Sequence, residues 1–150
     1  MKSLNFVLIS LLTLMCLGCA SDKHTLLTNP QKTMDAVNTK YPADKNTLVF
    51  IGAPEGFVAP GLANSGVETG VDNAKVVAIT SALALKTTTV IVAGENESLT
   101  ATTLAQALKT GKDKINGGKV ILVGTKETQK TLADLATASG VVLEFIDNPI

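Results

Sequence analysis

Residues 89–94 read Thr-Val-Ile-Val-Ala-Gly, and residues 119–124 read Lys-Val-Ile-Leu-Val-Gly. A similar apolar run closed by glycine occupies residues 47–52, and a fourth run at residues 141–146 is followed by Asp147. Runs of this kind, without polar alternation, are typical of strands buried on both faces, as in a parallel sheet covered by helices. The sequence therefore predicts a mainly parallel sheet of about four strands.

The segments between these runs carry helix signals. Polar N-caps and glycine stops mark the ends of three predicted helices, which cover residues 73–86 after Asp72, residues 100–110 before Gly111, and residues 126–139 between Thr125 and Gly140. Gly140 is expected to adopt the left-handed conformation that ends many helices. In the first of these helices, Val76, Ile79 and Leu83 recur at helical spacing and are expected to face the core.

A further helix is predicted ahead of the first strand. Asn29 and Pro30 form an N-cap followed by proline at the first helical position, and Pro42 ends the helix. Alternating strands and helices with right-handed crossovers define the α/β class, here a small three-layer sandwich with a flavodoxin-like or Rossmann-like strand order. Residues 29–150 are expected to form this single α/β domain.

The first twenty residues have a different character. Lys2 precedes an apolar run over residues 4–17, and Gly18 and Ala20 are small. The run is shorter than the roughly 20 residues that a membrane span requires. A basic start, an apolar stretch and small residues are the features of a secretory signal peptide.

Within this stretch, Cys16-Leu17-Gly18-Cys19 is similar to the lipobox of bacterial lipoproteins. The resemblance implies diacylglycerol on the Cys19 sulfur, cleavage before Cys19, and acylation of the new amino group. Residues 1–18 are then a lipoprotein signal peptide, and residues 19–28 a lipidated cysteine followed by a flexible tether. Several acyl chains hold a protein firmly on a membrane, whereas one binds it only marginally.

The location of the protein follows from the same resemblance. Ala20, after the cysteine, lacks the aspartate that marks retention in the inner membrane, so an outer-membrane lipoprotein facing the periplasm is expected. Two alternatives remain open at this point. Cleavage after Ala20 would release a soluble protein beginning at Ser21, and an uncleaved anchor would keep the apolar run.

Composition excludes several classes of chemistry. The signal peptide and the lipid account for both cysteines, and the single histidine, His24, lies in the tether. The mature domain therefore offers no Ser-His-Asp triad, no thiol nucleophile and no histidine or cysteine metal site. All thirteen basic residues are lysines, they balance thirteen acids, and no basic stripe is visible. Nucleic acid is not an expected partner.

Polar residues follow the predicted strands at their carboxyl ends, where open parallel sheets bind ligands. The candidate ligand-binding residues are Glu55, Glu95, Asn96, Lys126 and Asp147. No nucleotide-binding glycine motif accompanies them, and no catalytic residue or cofactor is assigned.

Three acidic residues follow or end the predicted strands at the same edge. Glu95, Glu97 and Asp147 could in principle supply oxygen ligands to a hard cation. Charged residues in exposed loops are the commoner explanation, so no metal site is predicted.

The connection over residues 52–71 is far longer than the two to six residues usual between a strand and a helix. Its length favours a lid, a binding loop or a disordered excursion. Its apolar residues could pack on the domain, cover a ligand or dock another protein, and part of it could form a short hairpin or an added edge strand. The sequence supports two hypotheses about function. The favoured hypothesis is a membrane-anchored interaction or scaffold module for another envelope protein, without catalytic activity. The alternative is a small-molecule binder or carboxylate-dependent enzyme that uses the sheet edge and this loop.

Overall fold

The computed structural model describes residues 29–42, 45–53, 71–85, 88–115 and 117–147. The predicted signal peptide, the lipidated Cys19, the tether and Glu55 lie outside these ranges, as does most of the long connection after the first strand.

Helices and strands alternate along the described chain. They are α1 (Pro30–Lys40), β1 (Asn46–Ile51), α2 (Asn73–Ala84), β2 (Thr89–Gly94), α3 (Glu97–Thr110), β3 (Lys119–Gly124), α4 (Lys126–Ala138) and β4 (Val142–Asp147). All neighbouring strands pair in parallel within one four-stranded sheet. The predicted α/β class with a parallel sheet is confirmed.

The strand order differs from expectation. Flavodoxin-like and Rossmann-like sheets contain a point where the order reverses, whereas this sheet runs β1-β2-β3-β4 without a reversal. Each crossover therefore steps in the same direction across the sheet. Right-handed crossovers that step in one direction leave their helices on the same face, so α2, α3 and α4 form one layer.

Two apolar clusters fill the space on either side of the sheet. Val49, Val92 and Leu122 point toward the α2, α3 and α4 layer and pack with buried residues of those helices. Ile91 and Ile121, from alternate positions of the same strands, pack on the other face beneath α1. The three layers are thus α1, the sheet, and the three crossover helices.

Most helix ends match the sequence signals. Val76, Ile79 and Leu83 are buried as expected, and Gly140 has a φ of +69° after α4. Helix α3 is the exception, because it begins at Glu97 and not at residue 100. The N-cap is Asn96, whose side chain accepts a hydrogen bond from the Leu99 amide and so adds a turn to the helix.

Contacts at the end of α1 fix this helix against the last strand. The hydroxyl of Tyr41 and the Nζ of Lys40 both donate to the carbonyl oxygen of Phe145 in β4, at 3.3 and 3.2 Å. Beside them, Lys119 forms an ion pair of 2.7 Å with Glu144. The contacts of Lys40 and Tyr41 join residues about a hundred positions apart and hold α1 over its face of the sheet.

No helix within the described ranges has both the length and the apolar character needed to cross a membrane.

Helix α2 contains a hydroxyl group whose removal is expected to stabilise the fold. Among the described side chains, Thr80 Oγ1 is buried and lacks a hydrogen-bond partner. Thr80→Val keeps the shape of the side chain and removes the unsatisfied group, so the free energy of unfolding should rise by about 1 kcal/mol. Urea unfolding monitored by circular dichroism measures this change.

Thr103→Val is the matched control for Thr80→Val. The Thr103 side chain is fully buried, but its hydroxyl accepts a hydrogen bond from the Asp72 amide. The same substitution there should lower stability. Equal effects of the same sign at the two positions would contradict the assignment of the unsatisfied hydroxyl to Thr80.

Candidate functional site

The carboxyl ends of the strands bring the predicted site residues to one edge of the sheet. Glu95 and Asn96 lie between β2 and α3, Lys126 is the first residue of α4, and Asp147 is the last residue of β4. Because the strand order has no reversal, successive turns at this edge lie side by side and do not diverge around a crevice.

Glu95 connects the first two turns. Its side-chain oxygen Oε2 accepts a hydrogen bond of 2.9 Å from the amide of Ala53, which follows β1. The residue itself is exposed. One carboxylate oxygen of this predicted ligand-binding residue is therefore used to hold the turn of the neighbouring strand.

Asn96 supports its own helix. Its Oδ1 accepts from the Leu99 amide at 2.9 Å, and its main-chain carbonyl accepts from the hydroxyl of Thr100 at 2.7 Å. The first is the N-cap bond, which satisfies an amide at the start of α3. The second is a threonine hydroxyl bond to the carbonyl four residues earlier in the chain.

Glu97 accepts three hydrogen bonds at this edge of the sheet. Its Oε1 accepts from the Thr125 amide at 2.8 Å, from the Thr125 hydroxyl at 2.6 Å, and from the hydroxyl of Thr128. These donors belong to the turn after β3 and to the first turn of α4. The Thr125 hydroxyl makes no capping bond within α4, so the predicted cap residue uses its side chain to bind α3 through Glu97.

The electrostatics of Glu97 follow from these bonds. Burial by itself would raise the pKa of Glu97, but the side-chain hydrogen bonds from Thr125 and Thr128 and the Thr125 amide favour the charged form. Their combined effect lowers the pKa of Glu97 below its ordinary value. A general base is most effective when its pKa lies near the working pH, so Glu97 is suited to a structural role and not to proton transfer.

The remaining described candidates follow or end the neighbouring strands β3 and β4. Lys126 and Asp147 are both exposed, and no hydrogen bond or ion pair of their side chains is found within the described part of the chain. Glu55 lies outside the described residues. The ligand-binding roles of Glu55, Glu95, Asn96, Lys126 and Asp147 stay predictions.

A shallow groove of about 400 Å³ lies between the amino-terminal halves of α3 and α4. Seven of its eight lining residues carry a hydroxyl or a carboxylate, and the lining consists of Glu97, Ser98, Ala101, Thr102, Thr125, Glu127, Thr128 and Thr131. The groove offers hydrogen-bond acceptors and donors to a polar molecule. Its lining contains none of the aromatic and large aliphatic side chains that are typical of small-molecule sites.

The acidic residues do not converge. Within the ranges that the structure describes, no group of three His, Cys, Asp or Glu side chains is placed to hold a metal ion. Glu95 points to the turn of β1, while Glu97 points to the turn of β3. The described part of this edge joins three neighbouring turns, and it offers no paired carboxylates for acid–base chemistry.

Sequence reasoning gave Glu97 no role in the predicted ligand site. A glutamate at the first position of one helix and a threonine N-cap on the next helix were both visible in the sequence. The link between them depends on β2 and β3 being neighbours, which became evident only from the strand order.

Comparison of the chain with protein families, with curated proteins and with solved structures finds no match.

Proposed function

We propose that this protein is a lipid-anchored interaction module of the bacterial cell envelope. In this proposal, acyl chains on Cys19 hold it in the outer membrane, and the α/β domain on the periplasmic side binds or supports another envelope protein. The lipobox-like Cys16-Leu17-Gly18-Cys19 motif supports the anchor. The use of carboxylates at the strand ends supports a role without catalysis.

The hydrogen bonds at the carboxyl edge of the sheet are the observation that supports a role without catalysis. The edge is where a parallel sheet ordinarily opens to a substrate. Here Glu95 and Glu97 accept hydrogen bonds from the turns on either side of their own. Side chains that hold neighbouring turns together stiffen the domain, and a stiff domain is suited to docking.

The anchor is tested by labelling growing cells with an alkyne-bearing fatty acid. The wild-type protein should take up the label, and Cys19→Ala should lose it completely, because the acylated sulfur is removed. Cys16→Leu is the matched control, since it removes the other cysteine and leaves the modified residue in place. An unlabelled wild-type protein, or label that persists in Cys19→Ala, would overturn the anchor.

Docking is tested by crosslinking intact cells and purifying the protein from their membranes. One envelope protein recovered in stoichiometric amount supports the module. Failure to recover any partner from well-crosslinked membranes argues against it.

A small-molecule binder or carboxylate-dependent enzyme is the second candidate, favoured by the polar groove between α3 and α4. Screening polar metabolites by thermal shift tests this alternative. A ligand that raises the melting temperature of the wild-type protein, but not that of Ala101→Leu, would shift the assignment to binding in the groove.

A further inference from the structure

The groove between α3 and α4 is rich in hydrogen-bond acceptors. Four of its eight lining residues are threonines, and each threonine hydroxyl already donates its proton within the protein. The acceptors are the Ser98 carbonyl for Thr102, Oε1 of Glu97 for Thr125 and Thr128, and the Glu127 carbonyl for Thr131. Because a hydroxyl has one proton and two lone pairs, these four groups present only acceptors to a molecule in the groove.

The same lining is negatively charged. Glu97 and Glu127 both line the groove, and no lysine does. The bonds from α4 and its preceding turn all go to Oε1 of Glu97, so Oε2 keeps its lone pairs. Glu127 is exposed, and within the described ranges neither carboxylate forms an ion pair. The groove therefore holds two carboxylates without a basic side chain among them.

The helix ends offset part of this charge. The groove lies beside the amino ends of α3 and α4, and each end is equivalent to roughly half a positive charge. Glu97 and Glu127 are the acidic residues in the first turns of these two helices. Two carboxylates thus face about one positive charge, and about one negative charge is left without a partner.

The basic residues of these helices lie outside the groove. Helix α4 carries Lys126 and Lys130, and α3 carries Lys109 in its last turn. All three are exposed, and none of them lines the groove. Exposed charges are screened by water and salt, so these lysines reduce the negative potential of the groove and do not fill it.

A metal ion fits this lining poorly. Within the described residues, no three acidic side chains surround one point, whereas Ca²⁺ takes about six to eight oxygen ligands. Oε1 of Glu97 is also occupied by its three donors. An ammonium group suits the lining better, because its three N–H donors can reach acceptors on both helices.

We infer that the groove between α3 and α4 binds a primary ammonium group, and that this group is a lysine side chain of the envelope partner. The second part rests on the proposed function. The threonine methyl groups and Ala101 give the methylene chain of a lysine an apolar surface to lie on, and Glu127 and the hydroxyl lone pairs meet its charge. A free polyamine presents the same chemistry, so the experiments separate the two sources.

Titration of the full chain, purified in detergent, tests the groove itself. The probe is Nα-acetyl-lysine N-methylamide, and the control probe is its norleucine analogue, which lacks the ammonium group. The lysine probe alone should shift the amide NMR signals of Thr102, Thr128 and Thr131. Glu127→Gln should weaken binding about threefold, the size of an exposed charge pair. Asp134→Asn removes an exposed acid of α4 outside the groove and should leave binding unchanged.

Carbodiimide treatment of isolated membranes tests the source of the ammonium group. The reagent activates a carboxylate, a lysine amine in contact attacks it, and an amide forms as the urea by-product leaves. Mass spectrometry should find Glu127 joined to a lysine of the envelope partner. The product should disappear in Glu127→Gln and persist in Asp134→Asn.

Two results would overturn the ammonium site, namely equal shifts with the lysine and norleucine probes, or binding that Glu127→Gln leaves unchanged. Spermidine binding to the groove, without a product that joins Glu127 to another protein, would overturn the assignment to a partner's lysine. Failure of the proposed function gives a different pattern. In that case no partner is recovered from crosslinked membranes, yet the purified chain still binds the lysine probe through Glu127.

Discussion

Gly94→Ala is expected to destabilise the domain by about 3 kcal/mol, the upper part of the range for overpacking a filled core. Gly94 ends β2, is buried and pairs with Ile51. A Cβ at this position would lie 2.5 Å from the main-chain oxygen of Ile51 and 3.0 Å from the Ile51 Cβ, and would also overlap the hydroxyl of Thr100. Main-chain atoms of the hydrogen-bonded β1–β2 pair cannot move away cheaply. Urea unfolding measures the loss.

The other glycines that follow strands provide graded controls. At Gly52 the nearest atom to an added Cβ is Glu95 Oε2 at 4.0 Å, so Gly52→Ala should change stability by less than about 0.5 kcal/mol. At Gly124 the added Cβ lies 3.3 Å from Glu97 Oε1, at the end of a side chain, so the cost should be about 1 kcal/mol. A loss at Gly94 no larger than the loss at Gly52 would show that the strand end adjusts freely.

The three glycines look alike in the sequence, where each closes an apolar run. Two explanations were available for all of them, a tight turn or the close approach of a ligand to the backbone. The structure separates them, because Gly94 alone of these three is enclosed by main chain. Its lack of a side chain lets α3 pack close to the end of β1, which is a packing requirement that the local sequence does not reveal.

Much of the fold was predictable because its signals are local. Continuous apolar runs identify strands buried on both faces, and all four runs are strands in the structure. The asparagine and proline at the start of α1, and the positive φ of Gly140 after α4, follow from the conformational preferences of those residues. Each of these signals acts within a few residues of the element that it defines.

The strand order was not predictable in this way. Whether a crossover steps to one side of the sheet or the other depends on which helices and strands fit together, and no short motif encodes that choice. Because β2 and β3 are neighbours, Glu97 can reach Thr125 across 28 positions of sequence. The candidate site could be predicted as a set of strand ends, but not as a set of contacts.

The same limit applies to the outer surface of α2. The inward residues Val76, Ile79 and Leu83 were predicted from their spacing and are buried. The outward residues Val77, Ala78 and Ser81 are equally uncharged, and they stay exposed because α2 lies at the border of the helical layer with no further helix beside it in the described chain. Periodicity identifies the core-facing side of a helix, and the architecture determines whether the opposite side is covered.

Glu97→Ala is expected to lower the free energy of unfolding by about 2 kcal/mol at neutral pH, since three donors lose a charged acceptor in a partly exposed setting. The donors are the amide and hydroxyl of Thr125 and the hydroxyl of Thr128. Glu97→Gln should cost about half as much, because its amide oxygen still accepts hydrogen bonds but carries no charge. Glu127→Gln is the matched control, an exposed glutamate at the same edge that should have little effect.

The contribution of Glu97 to the free energy of unfolding should fall as the pH is lowered into the acid range. The pKa of Glu97 is lowered in the folded protein, so the unfolded chain binds the proton more readily. The stability that this group contributes is therefore fully present above the unfolded pKa of about 4.3. It is lost as the pH falls through the lowered folded pKa. The stability difference between wild type and Glu97→Gln, measured by urea unfolding at several pH values, should therefore be constant from about pH 6 to 8 and shrink below about pH 4. A difference that stays constant into acid would mean that the ionised carboxylate does not hold α3 to the turn after β3.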